Sequence, residues 1–335
     1  MDELHRKVSL ADVARAAGVA KATASRALSD RPQRDIGSRT RDRVRSVAAE
    51  LGYTPNRAAQ ALRTGTVRAL GIVVPVDAWS WWAPVVQGAA AEASRAGVQL
   101  SIDPVEHTAE LDEMLDQLHA RAVDGAIILT DHRVSHRGEA RMPVLLIDDI
   151  ELSPSLPTIR SANFEGGYAL GRHLVEQGRR FPLIIVADLD AHYTQERVKG
   201  FRAAFAEAGL AVKSTHVHVV EEVIDLNPAL HAGIEKAIAS VEGSIDSIFA
   251  IADYMAASVL RTLRQRGFTV PKDIAVVGYD DERAALLLDP PLTTFHQPLK
   301  EMGAAAVQSM IRHLNNEEIP LIQMLSGHLV IRSST

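Results

Sequence analysis

Between Val8 and Leu28 the sequence sets Lys21, Thr23, Ser25 and Arg26 close together. Two cations near the ends of one short helical stretch, with hydroxyls between them, suit phosphates and the edges of bases. A different chemistry lies further along. Trp79, Trp81 and Trp82 cluster just after an apolar, strand-like run, and Asp77 follows that run directly before them. Asp148 ends a second such run, Asp253 and Asp280 follow two more, and carboxylates at strand ends can accept hydroxyl hydrogens from a polyol. An indole face can stack on the C–H face of a sugar or on a nucleobase. Each group has a plainer alternative. The cations fit a three-helix bundle with a solvated basic face, the tryptophans a hydrophobic patch under a loop, and each aspartate a helix cap.

The elements that must position these residues follow from periodicity. Leu10, Val13, Ala14 and Ala17 form one helical face, Gly18 breaks it, and Val19 follows as an apolar plug. A second helix runs from about Lys21 to Leu28, with Ala24, Ala27 and Leu28 inward and Lys21, Thr23, Ser25 and Arg26 outward. A third is expected after Ser38 as N-cap, with Val44, Val47, Ala48 and Leu51 as its stripe. This helix-turn-helix pattern points to DNA. Residues 53–69 have few large apolar side chains and read as a linker with a helix that forms only against something. From Leu70 strands and helices alternate in two runs of similar length. The expected strands include Leu70–Pro75, Gly125–Leu129, Val144–Ile147, Leu183–Val186, Ser247–Ile251 and Ile274–Gly278. The expected helices include Pro84–Ala96, Gly166–Gln177, Gln195–Ala208 and Tyr254–Arg266. That rhythm predicts parallel sheets in two lobes with a cleft between them.

Composition narrows the function. At 335 residues and 47% hydrophobic, the chain holds two or three globular domains. The net charge of −6 conceals a split: residues 1–64 hold 13 Lys and Arg against 7 Asp and Glu, leaving 23 bases and 35 acids in the rest. The head can neutralise phosphates and the body would repel them. With no cysteine, disulfides, thiolate metal sites and cysteine nucleophiles are excluded. No apolar run reaches membrane length and no signal core opens the chain, so a cytoplasmic protein without a membrane partner is expected. No P-loop, zinc-protease or serine-hydrolase motif is present; an enzyme, a cofactor and a metal site are not expected.

The stretch Val8-Ser-Leu-Ala-Asp-Val-Ala-Arg-Ala-Ala-Gly-Val-Ala-Lys-Ala-Thr-Ala-Ser-Arg-Ala-Leu28 resembles the DNA-reading head of the LacI/GalR family of bacterial regulators. The resemblance continues at Thr40–Val44, Leu51–Arg57, Leu70–Pro75, Glu196–Phe201, Val270–Asp281 and Pro291–Thr294, in order along nearly the whole chain. It implies an all-α helix-turn-helix head (1–54), a hinge helix and linker (55–69), and an α/β effector-binding and dimerisation body (70–335). The body would be two periplasmic-binding-protein-like lobes with parallel sheets, about 70–160 with 297–325 and about 161–296. It also implies a repressor that binds a palindromic double-stranded operator as a homodimer, controlled by a small carbohydrate-like or nucleoside-like effector. The alternative is control by a docked partner protein.

Carried over by position, Lys21, Ala22 and Arg26 would read bases, Thr23 and Ser25 would hold phosphates, and Asn56 and Arg57 would touch the backbone. Leu62 would wedge into the minor groove at the operator centre. Trp81, Trp82, Asp148, Arg197, Asp253 and Asp280 would face the effector. The chain departs from the family pattern in places. Ala20 stands where Ser or Thr usually caps the reading helix, and Ala24 replaces its usual valine. The loop 29–38 is longer and more basic, with Arg31 and Arg34. Ala162 and Ala252 replace an Asp and an Asn of the cleft, and the aromatic residue near 225–228 is missing, which argues against a lactose- or purine-type pocket. No leucine-heptad tail follows Arg332, so a tetramer built that way is not expected.

Overall fold

The computed structural model describes residues 8–28, 36–53, 69–76, 78–105, 111–121, 123–129, 142–148, 156–213, 216–220, 228–241 and 243–335. The chain divides into two compact units, Met1–Val67 and Arg68–Thr335.

In the first unit α1 (Leu10–Ala16) is opened by a reciprocal cap. The Asp12 N–H donates to Ser9 Oγ at 3.3 Å and the Ser9 N–H to Asp12 Oδ2 at 3.0 Å. Gly18 turns the chain at φ 61°, a left-handed conformation that a side chain would disfavour. Then come α2 (Lys21–Ala27) and α3 (Ser38–Glu50). The expected Ser38 cap is corrected: Gly37 holds the cap position without a side-chain bond, and Ser38 begins the helix. Val13, Ala14, Ala17, Ala24, Ala27, Val44 and Ala48 form the core, with Val47 partly buried against it. Leu51, expected in that stripe, lies beyond the last turn and is 39% exposed.

The second unit has two hydrophobic cores, one per lobe. Lobe one contains β1 (Ala69–Pro75), α4 (Trp79–Ala96), β2 (Gln99–Val105), α5 (Leu111–Ala120), β3 (Gly125–Leu129), β4 (Val144–Ile147) and β5 (Thr158–Ser161). Lobe two takes α6 (Asn163–Glu176), β6 (Pro182–Val186), α7 (His192–Glu207), β7 (Val217–Val219) and α8 (Pro228–Ser240). It continues with β8 (Ser247–Ala250), α9 (Asp253–Gln265), β9 (Ala275–Val277), a short 3-10 turn at Arg283–Leu286 and β10 (Thr294–His296). The chain then returns to lobe one for α10 (Leu299–Leu314) and β11 (Ile322–Leu325), and β12 (His328–Val330) pairs back onto β10.

Lobe one is a six-stranded parallel sheet, β11-β5-β4-β3-β1-β2, and lobe two a four-stranded parallel sheet, β7-β6-β8-β9. The inner strands are buried throughout because helices cover both faces. Each lobe also has one tightly crossed helix pair. A Cβ at Gly88 or Gly303 would strike the backbone of the partner in the α4–α10 pair, and one at Gly167 or Gly200 that of the α6–α7 pair. Three crossovers join the lobes: after Ser161, after His296 and after Leu325.

Candidate functional site

On α2, Lys21, Ala22 and Arg26 are exposed and Thr23 is half-buried. Ser25 corrects the outward reading: it is 8% exposed and belongs to the buried side of the helix. Ala24, Ser25 and Ala27 are all small, so α2 can sit close against its neighbours and take Ser25 in with it. Ala20 has the extended backbone of a cap but offers no side-chain bond. Arg26 Nε donates back to the Ala22 carbonyl at 3.3 Å, which lays the side chain along the exposed face. Asn56, Arg57 and Leu62, and most of the basic loop after Leu28, lie outside the described residues.

The tryptophans do not sit in a turn. α4 begins at Trp79, five residues before its Pro84, so they occupy its first turn. Trp82 is fully buried in the lobe-one core, its Nε1 without a hydrogen-bond partner among the described residues. Trp81, half-buried, meets it edge to face with centroids 6.4 Å apart, and Trp79 is 42% exposed. Asp77 lies outside the described residues.

The strand-end residues converge better. α7 starts at His192 rather than Gln195, which puts Arg197 in its second turn, almost fully buried. Arg197 Nε donates to Asn163 Oδ1 and Nη1 to the Ile251 carbonyl, both at 2.9 Å. Its Nη1 stands 3.6 Å from Asp280 Oδ1, and its guanidinium carbon is 3.7 Å from the Tyr279 ring centre and 4.9 Å from that of Tyr193. Nη2 makes no hydrogen bond among the described residues.

Asp280 is buried with φ 117°, a left-handed conformation held in place by its N–H on the Phe295 carbonyl and by Gln297 Nε2 donating to its Oδ1 at 2.8 Å. Burial raises its pKa well above the carboxylate range, and the Arg197 charge opposes that rise. Asp148 ends β4 at φ 63° and lies near enough to Tyr279 for its charge to act on that phenol, whose pKa burial raises. Asp253 is placed differently. Its Oδ1 accepts from Thr294 Oγ1 at 2.7 Å and its Oδ2 from the Glu282 N–H at 2.9 Å, so both oxygens bind its own lobe.

Sequence reasoning missed Asn163, Tyr193, Tyr279 and Gln297. Only the position of Gln297, directly after a strand at a lobe crossover, could have signalled it. Gln297 is buried with Oε1 unpartnered among the described residues. The uncommitted Arg197 Nη2, Asp280 Oδ2 and Gln297 Oε1 supply a donor beside acceptors, which suits a hydroxyl-bearing ligand. No group of metal-ligating side chains and no helix long and apolar enough to cross a membrane occurs among the described residues.

Residues 9–56 match the model of bacterial regulatory proteins of the lacI family, and residues 172–335 that of a periplasmic binding protein-like domain. The transcriptional regulator CelR of Thermobifida fusca is 30% identical, with 99% of each chain covered. The transcriptional repressor PurR of Mannheimia succiniciproducens is 26% identical over 97% of this chain and 98% of its own. A solved CelR–cellobiose complex is 27% identical with TM-score 0.71, covering 98% of this chain and all of its own. The lac repressor dimer bound to operator and the anti-inducer ONPF, 23% identical over 98% of this chain and 99% of its own, shares the fold at TM-score 0.81. The chain belongs to the lacI family of bacterial regulatory proteins and is a DNA-binding transcriptional regulator rather than an enzyme.

Proposed function

We propose that this regulator is a cytoplasmic repressor that binds a two-fold symmetric operator as a homodimer and responds to a small sugar-like or nucleoside-like effector between its lobes. The observation that carries the reading is Arg197, clamped by Asn163 and the Ile251 carbonyl beside Asp280 at the strand ends of lobe two. Open α/β folds bind ligands at that edge. Asp148 and Trp81 would complete the site from lobe one, and Gln297 from the crossover. Asp253 would act indirectly, by holding the loop that carries Asp280. The solved CelR complex holds cellobiose, which supports a hydroxyl-rich ligand for a relative of this kind.

The lobes are joined by three short crossovers, so a ligand touching both favours one lobe angle over another. In the head, Lys21, Ala22 and Arg26 would read bases, with Thr23 on phosphates. Asn56 and Arg57 would touch the DNA backbone near the hinge, and Leu62 would engage the operator centre only when the paired hinges are close. The effector then changes operator affinity through its different affinity for the two lobe angles. Selection of genomic fragments on the purified chain, followed by footprinting, tests the DNA half: a protected palindrome is expected. Calorimetric titration with sugars and nucleosides tests the other half. Operator binding with no ligand uptake at millimolar concentration would favour a docked partner protein.

A further inference from the structure

The exposed side of α3 departs from the rules of helix stability. Its first turn has no acidic residue and its cap makes no side-chain bond. Arg39 and Arg41 stand there instead, at the positive end of the helix dipole. Arg39 and Arg43 are one turn apart, as are Arg41 and Arg45, so like charges occupy the spacing at which they repel. Arg39, Arg43 and Arg45 are exposed and make no hydrogen bond or ion pair among the described residues. The nearby carboxylates do not neutralise them. Asp12 serves Ser9 and Arg15, Glu50 accepts from Ser46, and Asp42, three residues from Arg39 and from Arg45, pairs with neither. The helix is held by its other face, through Val44 and Ala48. Arg39 and Arg43 lie on one flank of the exposed side and Arg45 on the other, so local stability sacrificed in several ways across that side points to a function for it.

We infer that Arg39, Arg43 and Arg45 form a second phosphate-contact surface, which grips the backbone of the duplex whose bases α2 reads. The inference rests on the head being the DNA-binding unit. α3 packs directly on α2 within that unit, so both can meet one duplex. From Ser38 to Glu50 no large apolar side chain is exposed, so the face lacks the anchor a protein partner would need, and its charge fits a polyanion. The contact is independent of sequence and adds affinity without adding base discrimination.

The test is fluorescence anisotropy of the full-length chain on a duplex of random sequence over about 50–200 mM salt. The triple variant Arg39→Gln/Arg43→Gln/Arg45→Gln should bind at least tenfold more weakly at the low-salt end. Its log–log salt slope should be shallower by about 0.9 for each phosphate no longer neutralised, so by about 2–3 per head. The triple lysine variant keeps the charge and should keep the slope. Removing like charges should not lower the melting temperature of the head; should the triple variant nevertheless melt early, Arg43→Gln alone should still reduce the slope by about 0.9. An unchanged slope and affinity in a folded glutamine variant overturns the inference. If the unaltered chain binds no duplex at all, the DNA-binding assignment of the head fails first and the arginine face with it.

Discussion

The Arg197 guanidinium lies against the Tyr279 ring, 3.7 Å from its centre, and the two side chains bury each other at the strand ends of lobe two. This contact makes the arginine a structural member of the lobe as well as a candidate ligand contact. Its donors to Asn163 and Ile251 tie the start of α6 to the end of β8.

Arg197→Ala should therefore lower stability by roughly 3 kcal/mol, because it removes two buried hydrogen bonds and the contact with the Tyr279 ring and leaves a cavity. Urea denaturation measures this. Arg197→Lys keeps a charge but cannot reproduce the two 2.9 Å bonds, and should recover only part of the loss. Neither substitution touches the head, so random-sequence DNA binding by the folded variants should be unchanged.

Gly166 explains how Tyr279 fits. A Cβ at Gly166 would collide with the Tyr279 hydroxyl and ring edge. Gly166→Ala should cost about 1–3 kcal/mol by overpacking. Adding Tyr279→Phe, which removes the atom nearest that Cβ, should recover part of the cost. Strict additivity of the two changes in thermal melts would mean that they do not meet.

Burial pushes the Asp253 pKa up to about 7, despite the hydrogen bonds from Thr294 and the Glu282 N–H that favour the carboxylate. A carboxyl whose folded pKa is raised binds its proton more tightly in the native state. Its contribution to stability is full below the unfolded value near 4 and is lost as pH rises through 7. Between about pH 4 and 7 the parent chain should lose up to a few kcal/mol from this group. Asp253→Asn should flatten the slope of urea midpoint against pH over that window, and an unchanged slope would show that Asp253 does not titrate there.

Ala20 already has the backbone of a cap, at φ −65° and ψ 148°. Ala20→Ser should let a hydroxyl accept an N–H of the first turn of α2 and stabilise the head by about 1 kcal/mol. A thermal melt of the head transition reads this directly.

Residues whose role follows from local pattern were legible in the sequence. The strands Gly125–Leu129 and Val144–Ile147 fall on their predicted limits because continuous apolar runs end sharply there. Strand ends mark Asp148 and Asp280 as candidates in the sequence, and the resemblance marks those two and Arg197. Residues whose role depends on tertiary contact were not. Tyr193 and Tyr279 gain theirs from Arg197, and Gln297 from a crossover that brings it to Asp280. Ser25 looked outward by residue type but is buried, and Pro84 looked like a helix start although α4 begins earlier. β5, Thr158–Ser161, has a single large apolar residue and carries no strand signal of its own; it is held between β4 and β11.

Ligand binding beside Arg197 should change the hold of the head on its operator. Anisotropy of a labelled operator fragment, titrated with the full-length chain in the presence and absence of each ligand taken up in calorimetry, tests it most directly. At least one hydroxyl-rich ligand should shift the operator dissociation constant tenfold or more, upward for an inducer and downward for a corepressor. A folded Arg197→Lys variant that still binds the operator should show no shift. A ligand-dependent shift that persists in that variant, or ligand uptake with no shift in the parent chain, would contradict it.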